Sequence, residues 1–197
     1  MLKMKLSELA TLQSGLVLNR KEARCEEEMV KLYKKVSMRS LNEYGILECS
    51  DLDLFASTEI LDRAVLTHTN DIIVKLFTPI FPTLVAKDAE GLIIPSQLVV
   101  IRVCDERVLP EYLRYYLSAP EVSELMLSIE GWRSQRTIKI GTFADLEIPI
   151  PPIEKQKLIA NMANTDLMRK RLYRELIEEQ SKLTALEIQK YIGGKHR

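Results

Sequence analysis

From Ile153 to Ile192 the chain contains neither glycine nor proline, and good helix formers dominate. A breaker-free stretch of this kind predicts one continuous helix. At 1.5 Å per residue, about 40 residues span about 60 Å. A compact domain made from the preceding ~150 residues has a radius of gyration of only about 15 Å. The helix therefore cannot lie along its own domain over its whole length. Leu172, Leu176, Leu183 and Leu186 form an apolar seam at coiled-coil spacing, interrupted by Glu179. Packing back onto the domain would use only part of that seam, so a partner helix is the expected occupant. The chain divides on this reading into a domain over residues 1–152 and a dimerisation or spacer helix over 153–197. The latter ends in a frayed basic tail from Gly193.

The first part reads as mixed helix and strand. Leu6, Leu9, Ala10 and Leu12 fit a short opening helix that stops near Gly15. Val30–Leu41 is either a strand with a basic face or a short helix. Asp71–Thr78 and Ile80–Val85 are rich in β-branched and aromatic residues and read as two strands, with Pro79 and Pro82 at edges or turns. Leu98–Val103, the second half of the most apolar stretch (Leu92–Val103), reads as a strand buried on both faces. Pro110 and Pro120 each precede a glutamate and open two helices. Leu146–Pro152 (LEIPIPP) is an extended strand running into a proline stop. The fold class is α+β: a strand-rich domain followed by one long C-terminal helix.

The formal net charge is zero, but it is unevenly placed. Residues 1–152 carry 18 Lys/Arg against 22 Asp/Glu, and residues 153–197 carry 10 against 6. A domain of net −4 repels phosphate, so any nucleic-acid site in it must be a local patch. No two of the seven glycines form a Gly-x-Gly pair, which removes the phosphate-cradling and dinucleotide turns. With two histidines, His68 and His196, and three scattered cysteines, a zinc site is not expected. Cys25, Cys49 and Cys104 fit reduced thiols in a cytoplasmic protein. No 18-residue apolar run or secretory leader is visible, so no membrane association is expected. No serine-nucleophile elbow or nuclease-like carboxylate–lysine pattern is present. No cofactor is expected, and a binding module is favoured over an enzyme.

Several stretches in order carry a resemblance: KLSELATLQSGL (Lys5–Leu16), Asn70–Val74, SQLVVIR (Ser96–Arg102), LPEYLRYYL (Leu109–Leu117), Gly131, Ile138–Leu146 and IPIPPIEKQKLIA (Ile148–Ala160). Together they resemble the target-recognition module of type I restriction–modification specificity subunits. In that family a strand ending in Ile-Pro-Pro leads through Glu-Gln or Lys-Gln into a long helix. Asn70 stands where the family often has glycine; asparagine also tolerates a left-handed turn. Trp132 follows Gly131 where serine is common. Full specificity subunits carry two recognition domains and two long helices, whereas this chain has one of each and resembles a half-subunit. The resemblance implies a non-catalytic role. One recognition domain reads one DNA half-site, antiparallel helices space the half-sites, methyltransferase subunits dock on the assembly, and a restriction nuclease subunit can join. For a single-domain chain it implies a homodimer.

Candidate DNA-binding residues follow from local charge. Gly131–Ala144 holds three cations and no anion. Within it Arg133, Ser134, Gln135, Arg136 and Lys139 have the chemistry to bind bases and phosphates. The run Lys31, Lys34, Lys35 and Arg39 is a second candidate for gripping phosphates, against the alternative of a solvated face. Arg20, Lys21 and Arg24 are weaker, because Glu22 and Glu26 can pair with them. Tyr112, Tyr115 and Tyr116 are expected to be partly buried against the sheet rather than stacked on bases, and His68 is a loop histidine. Two rival readings stand beside the DNA-binding specificity protein. One is an interaction module that binds the methyltransferase without tight DNA binding of its own; the other is an enzyme whose site escapes motif reading.

Overall fold

A computed structural model describes residues 2–42, 44–75, 77, 80–130 and 138–192. Strands β1 (Leu2–Lys5), β2 (Ala10–Ser14), β3 (Lys31–Lys35), β4 (Asp53–Ser57), β5 (Ile72–Lys75), β6 (Thr83–Leu84), β7 (Leu98–Val103) and β8 (Glu147–Ile150) are interleaved with five helices. These are α1 (Leu6–Leu9), α2 (Pro110–Leu117), α3 (Pro120–Glu130), α4 (Ile140–Ala144) and α5 (Ile153–Ile192). Residues 1–160 form one compact unit and residues 161–197 a second.

Among the described residues, the pairs between named strands are all antiparallel. The main sheet has the order β2-β7-β5-β6. The strands β5 and β7 lie at its centre, in register from Ile72↔Ile101 to Lys75↔Leu98. One face of this sheet, with Ile72, Val74, Val99 and Ile101, packs on Leu6, Leu9, Leu113, Leu117, Met126 and Phe143 from the helices. The opposite face, with Ile73, Leu98 and Val100, packs on Val36, Leu41, Val85, Leu92 and Ile94. Burial on both sides explains why these strands are apolar without alternation. Two small ribbons complete the unit: β1 with β8, and β3 with β4.

Both helix-opening prolines stand at the first position of their helices, α2 and α3. Helix α2 covers the free edge of β8. The Tyr112 hydroxyl donates to the Pro149 carbonyl at 2.8 Å, and the Tyr116 hydroxyl to the Glu147 carbonyl at 3.2 Å. Carbonyls two residues apart point the same way from a strand, and tyrosines four apart share a helix face. Tyr112 is buried and Tyr115 is exposed. Asn70 has φ 69°, a left-handed conformation that asparagine tolerates. At Gly15 a Cβ would stand 2.2 Å from the Pro95 carbonyl oxygen, so only glycine allows this close approach.

The opening helix is shorter than expected. It ends at Leu9, and Ala10–Ser14 is instead an edge strand paired with β7, Ala10 opposite Val103 and Ser14 opposite Val99. Ala10 and Leu12 satisfy both a helical and an alternating pattern, and backbone pairing to β7 decides between them. The expected strand over Ile80–Val85 is reduced to Thr83–Leu84, after Pro82, which has no N–H for a ladder. Of Val30–Leu41, Lys31–Lys35 forms a strand, β3.

In the second unit, residues 161–192 continue α5 as an uninterrupted helix. Its surface carries ion pairs at helical spacing, including Asp166–Arg169, Asp166–Lys170, Arg171–Glu175, Arg174–Glu178 and Glu179–Lys182. Among the described residues no helix is long and apolar enough to cross a membrane.

Candidate nucleic-acid interface

The β3–β4 ribbon distributes the first basic run. Strand alternation puts Lys31, Tyr33 and Lys35 on one face and Leu32 and Lys34 on the other. Tyr33 and its cross-strand partner Phe55 are buried with Leu61 and Ile93, which fixes the inner face. Lys34 stands opposite Leu54 on the outer face and is exposed, as are Leu32 and Leu54. Lys35 and Arg39 converge on one carboxylate: Asp53 lies 3.8 Å from the Lys35 ammonium and 3.2 Å from the Arg39 guanidinium. A shared counter-ion reduces what either can offer a phosphate. Lys31 is separated from them; its Nζ lies 4.9 Å from the centroid of the Tyr33 ring. It borders a notch with Leu61, Arg63, Leu66, His68 and Glu90. The run that is continuous in sequence thus divides three ways.

Of the second candidate group, Arg133, Ser134, Gln135 and Arg136 lie outside the described residues, as does Trp132. Lys139 is described: it is the exposed residue preceding α4, with extended backbone at φ −76° and ψ 144°. In the third group, Lys21 pairs with Glu59 rather than with Glu22 or Glu26, and Glu28 accepts from the Arg24 backbone N–H at 2.9 Å. Ser96 and Gln97 form an exposed turn before β7.

Arg102 organises the loop next to the ribbon. Its Nε and Nη2 bind both carboxylate oxygens of Asp71, at 2.8 and 2.7 Å, and Asp71 is fully buried. The same guanidinium donates to the Ala64 and Leu66 carbonyls at 3.3 and 3.1 Å. The hydrogen bond to Asp71 raises the Arg102 pKa above its ordinary value. One arginine on β7 thereby holds residues 64–71 in place. No sequence signal marks Arg102 and Asp71 as a pair, because 31 residues separate them.

Elsewhere, Lys75 donates to the Met38 and Leu41 carbonyls at 3.0 and 3.1 Å, and burial lowers its pKa. Asp105 is held down at about 2 by its hydrogen bonds with Arg107. Among the described residues, no group of three or more His, Cys, Asp or Glu is placed to hold a metal ion.

The four seam leucines of α5, Leu172, Leu176, Leu183 and Leu186, are each more than half exposed, as are Tyr173, Ile177 and Ile188 beside them.

The family model of the type I restriction modification DNA specificity domain matches residues 1–165. No curated protein matches the sequence. Among solved structures, the HsdS subunit from Thermoanaerobacter tengcongensis is similar, with a TM-score of 0.67 at 21% identity over 95% of this chain and 47% of that one. The S subunit of the type I restriction-modification system from M. genitalium gives a TM-score of 0.55 at 17% identity, covering 96% and 45%. A chain from a structure on complex assembly and conformational transition of the type I R-M system gives 0.63 at 14% identity, covering 94% and 43%. At these identities the likeness is one of fold, and this chain spans less than half the length of each of the three. The sequence match over residues 1–165, on a fold shared with these subunits, makes the chain a member of the type I restriction modification DNA specificity domain family.

Proposed function

We propose that the chain is a non-catalytic, sequence-specific DNA-binding protein of a type I restriction–modification system. It reads one DNA half-site with residues 1–152 and scaffolds methyltransferase subunits, to which a restriction nuclease subunit can be added. Family membership over residues 1–165 is the observation that carries this reading. A second copy of the chain supplies the other half-site. The exposed leucine seam supports that pairing, because four leucines in water on one helix face favour burial by about 1.5–3 kcal/mol each. Charge supports an antiparallel arrangement. Residues 161–174 hold Asp166 against Arg169, Lys170, Arg171 and Arg174, while residues 175–192 hold Glu175, Glu178, Glu179 and Glu187 against Lys182 and Lys190. Only the antiparallel pair lays the basic half on the acidic half. A two-fold dimer presents identical domains and reads an inverted repeat.

One observation favours the rival, an interaction module that binds methyltransferase without tight DNA binding of its own: Asp53 already engages Lys35 and Arg39. Co-expression with a methyltransferase subunit, followed by sequencing of methylated bases, separates the two. The proposal expects one inverted-repeat motif to be methylated only when both proteins are present. Methylation by the purified chain alone, or an unchanged motif when the chain is omitted, would contradict it.

A further inference from the structure

Lys31, Arg63 and His68 come from β3, a turn and a loop, yet they border one open notch of about 330 Å³. Among the described residues neither Lys31 nor Arg63 takes part in an ion pair, unlike Lys35, Arg39 and Lys21. Glu90, the carboxylate bordering the notch, is otherwise engaged: the Thr69 N–H and hydroxyl both donate to its Oε1, at 3.0 and 2.6 Å. Those bonds, and to a lesser extent the charges of Arg63 and His68, keep the Glu90 carboxyl below its ordinary pKa, so it is ionised and faces Arg63 without closing an ion pair among the described residues.

The turn that presents Arg63 is fixed on three sides. The Asp62 side chain accepts from the Ala64 N–H at 2.8 Å, Arg102 donates to the Ala64 carbonyl, and the His68 Nε2–H donates to the Arg63 carbonyl at 3.1 Å. Leu61 and Leu66 supply apolar walls, which strengthen any charge interaction inside. A guanidinium fork and an ammonium on a fixed frame suit a phosphate oxyanion.

We propose that this notch binds a phosphodiester of the DNA backbone, through Lys31 and Arg63. The inference rests on the reading that the chain binds duplex DNA, and it joins Lys31, split off from its basic run, to Arg63, which lies outside both charge clusters that the sequence displays as runs. The contact is a positioning one and carries no base preference.

The test is fluorescence anisotropy of the full chain with duplex DNA over a series of salt concentrations. Removing one phosphate contact in the Lys31→Gln/Arg63→Gln variant is expected to make the salt slope shallower by about 0.9, equally on selected and random duplexes. Lys31→Arg and Arg63→Lys, which keep the charge, are expected to retain the wild-type slope. Glu90→Gln removes the opposing charge and is expected to tighten binding to every sequence. A double variant that binds with the wild-type slope overturns this inference alone. A wild type that binds no duplex overturns the DNA reading itself and this site with it. Titration with inorganic phosphate gives the remaining arm: phosphate binding that is lost in the double variant, alongside an unchanged DNA slope, would overturn the DNA source of the oxyanion.

Discussion

The side-chain carbonyl of Gln156 accepts a hydrogen bond from the backbone N–H of Leu109 at 2.9 Å, across 47 residues of sequence. Its Nε2 donates to the Arg107 and Pro151 carbonyls, each at 2.8 Å, and the side chain is fully buried. Leu109 immediately precedes α2, and Gln156 lies in the first turn of α5. One amide therefore ties the start of the long helix to the start of α2. This is the glutamine of the Lys-Gln motif that follows the Pro-Pro stop, which gives that motif a structural reason.

Gln156→Ala is expected to destabilise the chain by about 3 kcal/mol or more, since it strands one buried donor and two carbonyls, at about 1–3 kcal/mol for each group left without a partner. Gln156→Glu should be comparably costly, because a carboxylate cannot donate to the two carbonyls. Urea denaturation of the full chain measures both. A change below about 0.5 kcal/mol for either variant would mean that water or a relaxed backbone replaces the amide.

The Tyr112 hydroxyl is pushed up to about 12, first by burial and then by the neighbouring Tyr116 and Tyr115. A folded-state pKa above the unfolded value of about 10 means the contribution is intact below pH 10 and is lost as pH rises through about 12. Burial also raises Tyr116, so ultraviolet titration should show both tyrosines ionising late, together with alkaline unfolding. In Tyr112→Phe the late component should shrink. A Tyr112→Phe titration identical to the wild type would assign the late component elsewhere.

Leu176→Glu/Leu183→Glu should yield a folded monomer, and the wild type a dimer at micromolar concentration. Light scattering reads the mass and circular dichroism the helix content. A strictly monomeric wild type at high concentration would rule out the homodimer.

Arg133→Ala and Arg136→Ala should weaken binding to a selected site. A lost two-pronged base contact costs about 1–3 kcal/mol and relaxes one base pair, whereas a lost phosphate contact weakens all sequences alike. Methylation of the same sites at the same rate by the double variant, assembled with methyltransferase, would move the reading head away from Arg133 and Arg136.

Asn70→Gly should be nearly neutral, while Asn70→Val should cost about 1–2 kcal/mol, because φ of 69° crowds a side chain. Thermal unfolding of the two variants compares them; equal midpoints would show that the turn relaxes.

Features with local causes were legible in the amino-acid order alone. The absence of glycine and proline set α5 at Ile153–Ile192, Pro110 and Pro120 set the starts of α2 and α3, and the apolar run Leu98–Ile101 marked β7. The positive charge at Lys31, Lys34, Lys35 and Arg39 was equally visible. Tertiary structure decided what those charges face. Strand alternation sent Lys34 outward, Asp53 from β4 captured Lys35 and Arg39, and Arg63 joined Lys31 because Arg102 holds the loop from β7. It also decided that Ala10–Ser14 is a strand, since a pattern compatible with both periods is settled by the neighbour that supplies the hydrogen bonds. Periodicity and breakers act over a few residues, whereas pairing across 31 or 47 positions depends on which elements the core brings together.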